Sequence, residues 1–331
     1  MLDHVYLFVF GLILLIKGGD WFVDSATAIA KKFKLPELLI GATVVSIGTT
    51  LPEVMVSATA AIGGQGGMAY GNAIGSIICN TSLIAAITIA VRPGKIDRKT
   101  MILPVSFFFT AAAFYLFNAY VFGKFSLISG IILLALFVCY MTLTVTQMLR
   151  SKNKPSEPLE MKEIEEKKEE EKNEPIIKSI LFLIIGAAVI AVGADLLVDN
   201  GTAIAKYLNV PETVISLTFV ALGTSLPEFV TAITSLAKGH GSLSLGNIIG
   251  ANLFNLVLVS GVATVIYPFD VPAGSMIGTT PASLIVDIPV MLAVMLILTV
   301  PALIRNKLSR VQGISLLLIY AAFCTFQFVL G

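Results

Sequence analysis

"GTTLPE" at residues 48–53 sets a proline and a glutamate inside an otherwise apolar stretch, and "GTSLPE" at residues 223–228 repeats the arrangement. A shift of 175 residues lays Gly19–Leu83 on Ala194–Leu258 without a gap, and 27 of the 65 pairs are identical, which marks an internal duplication. Asp20 meets Asp195, Asp24 meets Asp199, Pro36 meets Pro211, Glu53 meets Glu228, Gly71 meets Gly246 and Asn80 meets Asn255.

The duplicated chain is too apolar for water. Of its 331 residues 56% are hydrophobic and 13% charged, too few charges to cover a soluble globule of that length. Seventeen charges crowd between Arg150 and Lys178, leaving the rest sparser still. About ten apolar stretches remain, near 3–27, 37–62, 68–90, 100–120, 125–148, 178–203, 212–236, 243–267, 284–303 and 312–330. Each approaches the roughly 20 residues that a helical span of a bilayer needs. Long apolar runs without turn-rich alternation favour helices over a membrane barrel. The expected fold is all-α and integral to the membrane, with about ten transmembrane helices.

Five spans per half is an odd number, so the second copy enters the membrane from the opposite side. The chain divides into a first repeat (1–148), a charged linker (149–177) and a second, inverted repeat (178–331). Alternating loops place 19 of the 22 basic residues on one face, with Lys124 and Lys206 on the other and Lys17 within the first span. Excess Lys and Arg mark the cytoplasmic side. A multi-pass protein of the cell membrane is expected, with both termini extracytoplasmic and the linker cytoplasmic. The first segment has no basic start or A-x-A-like cleavage site and reads as a retained span. Inverted repeats suit secondary transporters, which bind cargo near the midplane where helices are interrupted.

The repeated motif has the chemistry for a cation. A proline has no amide hydrogen, so Pro52 and Pro227 free backbone oxygens around Gly48–Thr49 and Gly223–Thr224 and are expected to break helices 2 and 7. Irregular backbone at membrane depth survives where it is buried in protein or lines a polar cavity. Thr49, Thr50, Thr224 and Ser225 add hydroxyls, and Glu53 and Glu228 add carboxylates. An acid in mid-span costs on the order of 3 kcal/mol or considerably more and usually acts on ions or protons. A second element, "GNAIGSIICN" at 71–80 against "GNIIGANLFN" at 246–255, pairs glycines suited to close helix packing with amides that can offer oxygen. Asn80, Asn255 and Ser76 are the candidates here, Ala251 having no hydroxyl.

All these ligands are oxygens, which favour calcium, sodium or magnesium over soft metals. His4 and His240 fall at loop or terminal positions, against a zinc site, and Cys79, Cys139 and Cys324 read as packing residues. No P-loop, dinucleotide fingerprint or nucleophile elbow stands in credible context, so neither an enzyme nor a cofactor is expected. Membrane lipid and the transported ions are the expected partners, and nucleic acid is not.

With these residues in place, the chain resembles the calcium/cation antiporter superfamily, whose two repeats carry "GTSLPE" followed by "GN..GSN...N". The likeness extends through most of both halves and is greatest to the prokaryotic sodium/calcium exchangers. It implies calcium held by Glu53 and Glu228 with backbone oxygens of Thr49 and Thr224, flanked by Asn80 and Asn255. Sodium positions would fall at the Ser46 carbonyl, Thr50, Ser76 and Glu53 in one half, and at the Ala221 carbonyl, Ser225 and Glu228 in the other. Ala251, Asn255 and Ile77 depart from the residues some members carry, and Ala251 bears on the sodium coupling. The implied function is Ca2+/Na+ antiport by alternating access. A Ca2+/H+ or other cation/proton antiporter is the alternative on this scaffold, and a cation channel or membrane scaffold is the reading from another class.

Overall fold

The computed structural model describes residues 2–151, 175–208, 223–273 and 276–330. Helix α1 (Leu2–Phe33) is followed by α2 (Glu37–Ile40), a π-helical turn at Gly41–Val45 and α3 (Ser46–Ile62). The third span joins α4 (Gly66–Cys79), a π-helical turn at Asn80–Ala85 and α5 (Ala86–Val91). Helices α6 (Arg98–Phe117) and α7 (Leu127–Ser151) complete the first half. The second half runs α8 (Ile176–Tyr207), α9 (Leu226–Ala237), α10 (Gly241–Phe254), a π-helical turn at Asn255–Val259, α11 (Ser260–Ile266), α12 (Ile288–Arg305) and α13 (Arg310–Leu330). Among the described residues nine helical runs are long and apolar enough to cross a bilayer, and α9 is a shorter apolar helix. The part of the expected span 212–236 that precedes Gly223 lies outside the described residues.

The duplication survives as geometry. At the end of α3, the Gln65 N–H donates to the Ala60 carbonyl at 2.8 Å and the Gly63 N–H to that of Thr59 at 3.0 Å. At the end of α9, the His240 N–H donates to the Ser235 carbonyl at 2.7 Å and the Lys238 N–H to that of Thr234 at 3.0 Å. Gly64 (φ +72°) and Gly239 (φ +86°) occupy the same left-handed position, which costs glycine no Cβ clash. By the count of spans the two turns lie on opposite faces. Each face also carries a strand contact between halves: β1 (Lys124–Phe125) with β2 (Phe269–Asp270), and Lys95 with Lys307.

The two copies interlock. Helix α7 of the first half packs on α11 of the second, and α13 of the second packs on α5 of the first. Helices α1 and α8 cross where a methyl on Gly11 would stand 2.9 Å from the Gly193 carbonyl oxygen, and one on Gly193 2.9 Å from that of Gly11. The 175-residue shift carries Gly11 to Gly186 and Gly193 to Gly18, and this pair is close as well, a methyl on Gly186 standing 3.0 Å from the Gly18 carbonyl oxygen, as a two-fold relation between the halves requires. Helix α10 is the most enclosed element, with every residue from Leu243 to Phe254 buried. Apolar side chains such as Ile13, Ile131 and Leu181 face outward, as expected of a surface solvated by lipid.

The interruptions take two different forms. Helix α3 continues through Pro52, and the irregular backbone of that span lies upstream in the Gly41–Val45 turn. Pro52 still deprives the Gly48 carbonyl of its helical donor, because that donor would be the N–H of residue 52. In the second copy Pro227 sits in the first turn of α9, where its missing N–H would have had no helical acceptor.

One turn is also clamped by charge. Lys238 Nζ lies 3.1 Å from Asp20 Oδ1 and 2.7 Å from Asp24 Oδ1, and His240 Nδ1 lies 2.8 Å from Glu37 Oε1. Burial works against the Lys238 charge, but hydrogen bonds to Asp24 and Asp20 outweigh it and raise its pKa. Asp195 and Asp199, the repeat partners of Asp20 and Asp24, have no basic partner among the described residues.

Candidate site of two buried glutamates

Helix α3 presents Ser46, Thr49, Thr50 and Glu53 to the interior, at the three- and four-residue spacings that share one helix face. Helix α9 presents Glu228 in its first turn, just after Ser225. Both glutamates are 0% exposed. Thr50 Oγ1 donates to Glu228 Oε1 at 3.4 Å, which brings the motif of one repeat against the acid of the other. Glu53 and Glu228 are near enough for their charges to act on one another.

The buried oxygens lack donors. Among the described residues nothing hydrogen-bonds either carboxylate oxygen of Glu53, Oε2 of Glu228, the Ser225 hydroxyl or the side-chain amides of Asn80 and Asn255. A buried polar atom without a partner costs about 1–3 kcal/mol, and a charged one more. Buried carboxylate oxygens without donors are unfavourable by themselves and favourable beside a hard cation. Asn80 and Asn255 each open a π-helical turn, at corresponding points of the two copies. Such turns are uncommon and concentrate at functional positions, because the extra residue re-aims the backbone and side chains.

The remaining expected residues divide. Ser46 Oγ lies 2.7 Å from the Gly41 carbonyl oxygen and 2.9 Å from that of Asn247, and its one proton is shared between them, which ties α3 to the π-helical turn before it and to α10. Ser76 is buried on α4, and Thr224 is half-buried just before α9. Ala221 lies outside the described residues.

Two residues that were not singled out belong beside this set. Asn247 Oδ1 accepts from Thr49 Oγ1 at 3.1 Å, and Asn72 Nδ2 donates to the Glu53 main-chain carbonyl at 3.1 Å and to Ser57 Oγ at 2.8 Å. They are repeat partners, so the duplication itself held the signal. Both amides grip α3, one from each half. The close fit of α10 to the first half has a simple cause: a methyl on Gly250 would stand 2.6 Å from Ala42 Cα, so only glycine admits this approach.

Comparison with known proteins follows the same lines. The model of the family described as sodium/calcium exchanger protein matches residues 4–146 and 178–329. The chain is 32% identical to the sodium/calcium exchanger MaX1 of Methanosarcina acetivorans, over 96% of each chain. It is 36% identical to the uncharacterized membrane protein MJ0091 of Methanocaldococcus jannaschii, over 95% of this chain and 94% of that one. A solved structure of the sodium-calcium exchanger NCX_Mj, soaked with Na+ and Sr2+, is similar with a TM-score of 0.76 at 31% identity, covering 97% of both chains. Two inverted copies of an acid-bearing motif, matched along nearly the whole chain, place this protein in the sodium/calcium exchanger family.

Proposed function

We propose that the protein exchanges Ca2+ for Na+ across the membrane by alternating access, with Glu53 and Glu228 as the shared cargo site. The observation that carries this reading is the contact from Thr50 to Glu228, which joins the two repeats at a pair of fully buried acids. Two ionised carboxylates carry a formal charge of minus two, which one calcium ion neutralises. Left vacant, the site would hold two like charges in a poorly solvating interior, a state costing several kcal/mol by the usual price of intramembrane charge. The step that changes sides is therefore made with cations aboard, and Ca2+ and Na+ compete for the same acids and travel in opposite directions.

Asn80, Asn255, Thr49, Thr224, Thr50, Ser225 and Ser76, with the Ser46 and Ala221 carbonyls, supply the surrounding oxygens. Ala251 lacks the hydroxyl that its partner Ser76 offers, so the second repeat holds sodium with fewer side-chain ligands. The basic loops face the cytoplasm, both termini face outward, and the linker 149–177 joins repeats 1–148 and 178–331 on the cytoplasmic side.

The test is radiolabelled calcium uptake into sodium-loaded proteoliposomes. Uptake is expected to require an outward sodium gradient, and neither a pH gradient nor potassium alone should replace it. Glu53→Gln and Glu228→Gln should each abolish uptake while leaving a monodisperse protein. Full uptake without sodium, or by either variant, would overturn the assignment.

A further inference from the structure

The two matched hairpins, α3–α4 and α9–α10, share their backbone hydrogen bonds but not their lining. Below Glu228, α9 carries Thr231 and Ser235, and α10 carries Ser244, each at most 2% exposed. Among the described residues, none of the three hydroxyls has a hydrogen-bond partner. With Ser225 and Glu228 they continue one polar stripe, since residues 225, 228, 231 and 235 recur at helical spacing. The first repeat has Val56, Ala60 and Ala69 at the corresponding positions. Ala60 and Ala69 belong there to a closed alanine cluster with Ala61 and Ala263. Ser57, one turn beyond Glu53, is a hydroxyl whose partner is Asn72.

The hydroxyls are not needed to build the hairpin, because the alanine copy makes the same turn. Each is unfavourable if left unmatched in the interior. Buried hydroxyls of this kind are satisfied by water or by an ion shedding its water. The stripe leads from Glu228 to the 238–240 turn, where Asp20 and Asp24 hold Lys238, His240 meets Glu37, and Arg92 Nη1 donates to the Leu236 carbonyl.

We propose that Thr231, Ser235 and Ser244 line the route by which Na+ and Ca2+ pass between the two-glutamate site and the face that bears the 238–240 turn. Their hydroxyl oxygens replace part of the hydration shell in passage, whereas the alanine-packed hairpin offers no such stripe, so access from the opposite face runs along other elements. The proposal rests on Glu228 as a cargo ligand, so its test must separate passage from binding. The variant Thr231→Val/Ser235→Ala/Ser244→Ala gives α9–α10 the lining of the first repeat. It is expected to bind radiolabelled calcium in detergent within about threefold of wild type and to lose at least tenfold in sodium-driven exchange. Exchange within twofold of wild type would overturn the proposal, whereas loss of calcium binding by Glu228→Gln tests the site alone.

Should the triple variant fail to fold, single cysteines decide. In a Cys139→Ala/Cys324→Ala background, with Cys79 as the baseline, Ser235→Cys and Ser244→Cys should react with a membrane-impermeant methanethiosulfonate from the face of the 238–240 turn. Ala60→Cys and Ala69→Cys should stay at baseline from either face. Equal reactivity of the two pairs, or no reaction at Ser235→Cys and Ser244→Cys, would refute the route.

Discussion

The hairpins α3–α4 and α9–α10 descend from one sequence and differ in how they hold their acid. Glu53 stands in the second turn of a 17-residue helix, with Asn72 on its carbonyl and Asn247 on Thr49 one turn earlier. Glu228 stands in the first turn of a 12-residue helix, and its carboxylate accepts a long hydrogen bond from Thr50 of the other copy. Among the described residues, the amide brace on α3 has no counterpart on α9. The lesson is that duplication preserves the ligand and leaves its support free to diverge, so equal residues need not play equal parts.

Experiments can break that comparison, and the largest effects come first. Losing either carboxylate removes half the charge that matches calcium, so Glu53→Gln and Glu228→Gln should each reduce calcium exchange at least a hundredfold. If only one does, the acids are not a shared site. Next is Gly250→Val, which forces side-chain volume against Ala42 and Ser46; overpacking of this kind costs about 1–3 kcal/mol. Thermal unfolding in detergent should report it as a clear loss of stability.

Asn247→Ala should then raise the calcium concentration for half-maximal exchange about tenfold, because the Thr49 hydroxyl loses its acceptor next to the site. Asn72→Ala leaves the cross-repeat contacts intact and should act more on stability than on apparent affinity. The reverse ranking would show that the brace on Glu53 comes from its own repeat. Smallest is Lys238→Met, which removes a partly exposed ion pair of a kind worth about 0–1 kcal/mol. Its thermal midpoint should stay within a few degrees of wild type.

Much of this was legible in the residues. Apolar length fixed the spans, an odd number of them per half dictated inversion, and the recurrence of Glu53 at Glu228 located the acids. The rest depends on long-range packing that one sequence does not display. Nothing in "GATVV" at 41–45 distinguishes a π-helical turn from an α-helix, and the proline that drew attention in the first copy lies inside a continuous helix. Asn72 and Asn247 recur as clearly as Asn80 and Asn255 do. Which of these amides grips α3 depends on packing between helices that the recurrence alone does not display.

The exchange of partners between α7 and α11, and between α13 and α5, bears on biosynthesis. Helix α5 leaves the ribosome roughly 220 residues before α13, which packs against it. At ordinary rates of translation the wait is on the order of ten seconds or more. During that interval the first five spans sit in the bilayer with Glu53 and Asn80 lacking their counterparts from the second half, so maturation is completed only after the second half has been inserted. A first half expressed alone should be short-lived in cells and rescued by co-expression of the second, and a durable, monodisperse half would contradict this order of assembly.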